Sequence, residues 1–119
     1  MGNTGALGEE IAARFLERAG YRILARNWRA GRLELDLVAR DGETIAFVEV
    51  KTRRPGPQSP SEAVGRRKRA RLRTAAARWI ATRRDRARDY RFDVVAVTLG
   101  PGRRATVRHD VGAFTGDDC

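Results

Sequence analysis

Residues 33–53 read LELDLVARDGETIAFVEVKTR, and their alternation decides the fold. Two extended segments, Leu33–Arg40 and Thr44–Thr52, flank the pair Asp41-Gly42. Asp-Gly between alternating segments signals a two-residue hairpin of type I′, because both loop positions need positive φ. With those two residues as the loop, Arg40 pairs with Glu43, Asp36 faces Phe47, Glu34 faces Glu49 and Arg32 faces Lys51. Directly opposed residues share a face, so Asp36, Glu49 and Lys51 are expected on one side of the ribbon. A three-residue loop would set Glu34 and Asp36 among Ala46, Val48 and Val50, burying carboxylates among aliphatics, and is rejected.

Working outward, Tyr21–Trp28 is a further extended segment, separated from the ribbon by a turn at Ala30-Gly31. Ahead of it, Gly5–Ala19 reads as a helix with Thr4 as N-cap and an apolar stripe of Leu7, Ile11, Phe15, Ala12, Leu16 and Ala19, stopped by Gly20. Glu10 points away from that stripe and Glu9 sits at its flank; the helix dipole alone would favour both. After the ribbon, Arg53–Ser59 (RRPGPQS) is a loop. A second helix then opens with Ser59 as N-cap, Pro60 at its first position and Glu62 closing a capping box. It is expected to run to about Arg83, with Ala63, Val64, Leu72, Ala75, Ala76, Trp79 and Ile80 inward. Lys68 breaks that inward row: either its ammonium snorkels past the core edge, or it faces a site. Arg91–Leu99 (RFDVVAVTL) is a β-branched run suited to a strand buried on both faces. Gly100-Pro101-Gly102 turns the chain into a last strand, Ala105–Val111, before a loose tail, 112–119, in which Phe114 is the one docking candidate. The order is α-β-β-β-α-β-β: an α/β chain, one domain over 1–119 with its core at about 5–111, built as a mixed sheet flanked by helices.

The 119 residues suffice for one domain with a modest core. Apolar residues reach 41%, too many for a disordered basic tail. No apolar run nears the ~18 residues of a membrane span, and MGNTGALGEE lacks a signal pattern, so a soluble, cytoplasmic protein is expected. A single Cys119 and a single His109 exclude disulfides, Cys-rich zinc sites, a histidine metal cage and a Ser-His triad. The net charge is +10, and all of it lies in one stretch: Arg66–Arg91 holds 12 basic residues and two acids, Asp85 and Asp89. Such a run is either the footprint of a polyanion, most naturally nucleic acid, or a solvated helix face. The nucleic-acid candidates are Arg66, Arg67, Lys68, Arg69, Arg71 and Arg73, with Arg53 just ahead of the helix. A membrane surface fits less well, because the apolar side of this helix is mostly Ala. Arg accounts for all but two of the 25 basic residues, which makes Lys51 and Lys68 the informative ones.

In the expected register Glu34, Asp36 and Glu49 crowd one patch, and like charges opposed across strands destabilise a sheet. Mg²⁺ or Mn²⁺ would relieve the repulsion, since such ions need one or two carboxylates plus waters and a substrate phosphate. Lys51, two residues past Glu49 on the same face, could then orient or help deprotonate an attacking water. The alternative is an ordinary ion-pair network with Arg32, Lys51 and other arginines.

Asp36, then twelve residues, then Glu49-Val50-Lys51 resembles the PD-(D/E)xK nuclease signature. Asn27–Arg53 (NWRAGRLELDLVARDGETIAFVEVKTR) is similar in wording to the bacterial YraN-like family, itself similar to archaeal Holliday junction resolvases. Gly8-Glu9, Gly20-Tyr21, Lys68 and Arg91-Phe92-Asp93-Val94-Val95 extend the likeness over roughly residues 5–97. The resemblance implies a restriction-endonuclease-like fold and metal-dependent hydrolysis of DNA phosphodiesters. It makes Asp36 and Glu49 metal ligands helped by the Val50 carbonyl, sets Lys51 on the water or scissile phosphate, and adds Glu9 as a further acid. Two positions depart from the family: Leu33 stands where Gly is usual, and the second helix is dense in Arg. The expected activity is a structure-selective or relatively non-specific DNA endonuclease, acting on branched or junction DNA and so favouring a homodimer. The rival is a nucleic-acid-binding or assembly protein that kept the fold without turnover; an RNA target is a third course, since phosphate contacts do not separate RNA from DNA.

Overall fold

Two glycines at positive φ, Gly31 (+62°) and Gly42 (+60°), fold residues 22–53 into three antiparallel strands. The computed structural model describes residues 4–55, 65–102 and 104–114. Its elements are α1 (Thr4–Arg18), β1 (Arg22–Ala30), β2 (Leu33–Asp41), β3 (Thr44–Arg53), α2 (Arg66–Thr82), β4 (Asp89–Leu99) and β5 (Ala105–Phe114). The strands form one sheet in the order β1-β2-β3-β4-β5. Every neighbouring pair is antiparallel except β3–β4, which the α2 crossover joins in parallel. The expected α-β-β-β-α-β-β order and mixed sheet are therefore the observed ones.

A helix lies on each face. Ala12, Ala13 and Leu16 of α1 pack on Leu37, Ala39, Ala46, Val48, Val95 and Val97. On the other face Leu72, Ala75, Ala76 and Trp79 of α2 meet Leu35, Val38, Ile45, Phe47, Phe92 and Val94. Phe92–Val97 of β4 are buried throughout, as a strand covered on both faces requires. Its one buried acid, Asp93, lies fully inside and is fully provided for. It accepts hydrogen bonds from Arg91 Nε (2.9 Å), Arg91 Nη2 (3.1 Å) and the Gly112 N–H (2.9 Å), and contacts His109 Nε2 at 2.8 Å.

The hairpin register corrects the expectation. Leu37 pairs with Val48, Val38 with Phe47 and Asp41 with Thr44, so the loop is Gly42-Glu43 rather than Asp41-Gly42. Only its first residue takes positive φ, which is the type II′ requirement, and Gly31-Arg32 repeats the arrangement between β1 and β2. The slide of two residues keeps the parity of the side chains along the paired ladder, from Asp41–Thr44 to Leu37–Val48, but changes their partners. Asp36 no longer faces Phe47, and Glu34 no longer faces Glu49.

Several element ends differ as well, β1 running on to Ala30 rather than Trp28 and β4 beginning at Asp89 rather than Arg91 among them. At Gly65 the backbone is extended (φ −75°, ψ 169°), so α2 begins at Arg66 and not at Pro60; the expected caps Ser59, Pro60 and Glu62, with Ala63 and Val64, lie outside the described residues. Helix α1 includes Thr4 as its first residue instead of being capped by it. Strand β5 continues past Val111 to Phe114, whose ring is buried and stacks on Phe92 at 4.8 Å, so 112–114 are not a loose tail. Among the described residues, no helix is long and apolar enough to cross a membrane.

Candidate functional site

The site sits where the sheet forks. The β2–β3 ladder ends at Leu37–Val48. Beyond it, β2 stays with β1 as far as Leu33–Ala30, while β3 stays with β4 as far as Arg53–Thr98. Asp36 and Glu49 are the first residues past the last rung. Opposite Asp36 on β1, Asn27 adopts φ +50°, a conformation Asn tolerates better than most residues. The alternation of β2 breaks here: Leu35 packs on the α2 side and Leu37 on the α1 side, with Asp36 between them.

Asp36 occupies the crotch of the fork, where it accepts a hydrogen bond from the Val50 N–H at 2.8 Å. That amide has lost its ladder partner, and the carboxylate replaces it. Burial pushes the Asp36 carboxyl up to about 7; the charge of Glu49 and a hydrogen bond to it push the same way, Glu9 adds to them, and the Val50 N–H opposes. Glu49 is buried, and its Oε2 meets Lys68 Nζ of α2 at 2.5 Å. Burial pulls the Lys68 ammonium down, but the bond to Glu49 and the charges of Glu49, Asp36 and Glu34 outweigh it and leave it raised.

Glu9 reaches the site because α1 lies close to β3. A Cβ on Gly8 would fall 1.9 Å from Thr52 Oγ1, with Thr52 Cβ and Cγ2 at 3.0 and 3.1 Å. No side chain fits there, and the next residue, Glu9, stands half-buried near the acid pair. Glu10 points outward to Arg14 and Arg26, each at 2.7 Å. Lys51 is half-buried two residues beyond Glu49 on β3. Of the two lysines of the chain, Lys51 is thus on a strand of the fork and Lys68 on the helix that reaches its acid.

Among the described residues, no three or more His, Cys, Asp or Glu side chains are gathered as a cation cage. Two carboxylates meet, Asp36 and Glu49; Glu34 turns instead to Arg29 at 3.5 Å. The basic residues of α2 do not form one uniform stripe. Arg66, Arg67 and Arg71 are exposed, whereas Arg69 is half-buried with its guanidinium 5.3 Å from the Phe114 ring centre, and Arg73 is half-buried. Arg53, also half-buried, pairs with Thr98 at the end of β3. Sequence reasoning missed a cavity of about 90 Å³ beside the fork, lined by Arg32, Leu33, Glu34, Lys68, Arg71 and Leu72. It also missed the ties of Asp93, although an acid inside a β-branched run must find partners.

An α/β sheet that opens around an acid pair, with a lysine on the strand and another on the crossover helix, defines the class of site. Comparison with known proteins gives the family. The profile described as uncharacterised protein family UPF0102 matches residues 8–97, and the chain belongs to that family. A UPF0102 protein of Nocardia farcinica is 54% identical over 111 residues, covering 92% of this chain and 87% of the relative. One from Beutenbergia cavernae is 54% identical over 106 residues (88% and 90%), and one from Nitratidesulfovibrio vulgaris 49% over 112 residues (93% and 83%).

Proposed function

We propose that the protein is a metal-dependent endonuclease that hydrolyses DNA phosphodiester bonds. The observation that carries this reading is the Asp36–Glu49 pair: two carboxylates in hydrogen-bonding contact at a break in the sheet, one pushed up to about 7. Ordinary surface acids avoid such an arrangement, and strongly perturbed groups concentrate at functional sites. The donor chemistry suits Mg²⁺ or Mn²⁺, which take hard oxygen ligands and need only one or two carboxylates; the Val50 carbonyl is the expected third donor. Such an ion supplies positive charge to the phosphoryl group and acidifies the attacking water. Asp36 and Glu49 provide the negative seat, Glu9 deepens it, and Lys51 orients the water or the scissile phosphate. Arg66, Arg67 and Arg71 hold the DNA backbone, which fixes position without reading sequence. The family's likeness to archaeal Holliday junction resolvases points to branched DNA, a substrate that favours a homodimer.

The Lys68–Glu49 ion pair favours a second reading, in which the acids are neutralised internally and the protein binds nucleic acid without turnover. Incubating the protein with linear and four-way-junction DNA, in EDTA, Mg²⁺ or Mn²⁺, separates the two. The expected result is metal-dependent cutting that Asp36→Asn and Lys51→Ala abolish while DNA binding persists. Binding with no cutting in any metal hands the case to the second reading, and cutting that survives Asp36→Asn overturns the assignment of the site.

A further inference from the structure

On α2, Lys68 is held by an acid of the fork, and that acid is one a divalent cation would need. Its ammonium lies 2.5 Å from Glu49 Oε2, and Asp36 and Glu34 also act on it. Glu49 is buried while Lys68 is half-exposed, so the lysine can leave and the carboxylate cannot. The ammonium also has somewhere to go: the cavity that Lys68 lines with Arg32, Glu34 and Arg71 opens beside it, and Glu34 offers a carboxylate there.

We propose that Lys68 is the resident counter-ion of Glu49, and that a divalent cation entering the fork must displace it towards Glu34. The inference rests on the nuclease reading above, since it assumes that the acid pair takes a cation. A divalent cation on the Glu49 carboxylate would lie within a few ångströms of the ammonium on Oε2, and the two positive charges would repel, so ammonium and metal compete. Lys68 keeps the buried carboxylate neutralised before the metal arrives, where a bare buried charge would be destabilising. It is a positioning residue for the site and sets the metal concentration at which the site fills.

The test is Mn²⁺ binding to DNA-free protein, followed by electron paramagnetic resonance, in wild type, Lys68→Gln, Lys68→Arg and the charge-matched control Arg67→Gln. Circular dichroism melts check that each variant is folded. Lys68→Gln is expected to bind Mn²⁺ about tenfold tighter or more, a size typical of coupled binding events. Lys68→Arg should stay near wild type, Arg67→Gln should shift affinity far less, and Asp36→Asn added to Lys68→Gln should abolish the gain. If Lys68→Gln gains no more than Arg67→Gln, the competition is refuted while the nuclease reading stands. If no variant binds Mn²⁺ at millimolar concentration, both fall together.

Discussion

Asp36 serves two masters, the Val50 amide that needs an acceptor and the Glu49 carboxylate that crowds it. Its raised pKa fixes the sign of a pH effect. An acid whose folded pKa lies above its ordinary value of 3.8 contributes stability that is full below that value and is lost as pH climbs through about 7. Metal-free protein is therefore expected to melt higher at pH 5 than at pH 8 through this group. Asp36→Asn, which cannot titrate, should flatten that difference; an unchanged gradient in the variant would place its origin elsewhere. Gly8 makes a second residue-scale prediction. Its missing Cβ admits Thr52, so Gly8→Ala must push α1 off β3 and carry Glu9 away from the acid pair. The proposed nuclease activity should fall in Gly8→Ala, and Thr52→Gly, which clears the space, should restore part of it.

Helix α2 packs the core on one side and, on the proposed reading, meets DNA with the other. Inward, Trp79 is completely buried with its ring 5.8 Å from Phe47, so Trp79→Ala should lower the unfolding free energy by about 3–5 kcal/mol in urea titrations. Trp79→Phe should lose less, because the buried indole N–H has no partner among the described residues. Outward, Arg67→Ala and Arg71→Ala should weaken DNA binding and reduce the slope of log K against log salt by about 0.9 per lost phosphate contact. The helix also marks how far the sequence could be read. Leu72, Ala75, Ala76 and Trp79 declared their inward face by spacing, and Lys68, out of place on that row, pointed to the site. The hairpin was legible in its parity, which depends only on an even loop, and so Asp36 and Glu49 could be placed on one side. Its register was not, because Asp-Gly can supply either both loop residues or only the first, and choosing between them depends on how β2 packs against β1. The fork was equally hidden: it needs Asn27 at positive φ and β2 following β1 away from β3, which are tertiary facts.

At the scale of the molecule, one buried acid joins distant parts of the chain. Asp93 binds Arg91 on its own strand and His109 and Gly112 on β5, while Arg91 Nη2 reaches the Tyr21 hydroxyl at 2.5 Å at the α1–β1 junction. Asp93→Ala strands these donors and should remove about 3–5 kcal/mol of stability. Asp110→Ala, which breaks only the exposed 3.1 Å pair with Arg108, should change it by less than about 1 kcal/mol. The fork has a wider consequence. Its two tines belong to separate halves of the sheet, β1–β2 and β3–β4–β5, with no rungs between them past Leu37–Val48. A ligand bridging Asp36 and Glu49 would act as the missing rung. Deuterium uptake along 33–36 and 49–52 should then slow when that ligand binds, while the amides of central β4 stay as protected as before, so exchange kinetics would report occupancy without any substrate being turned over.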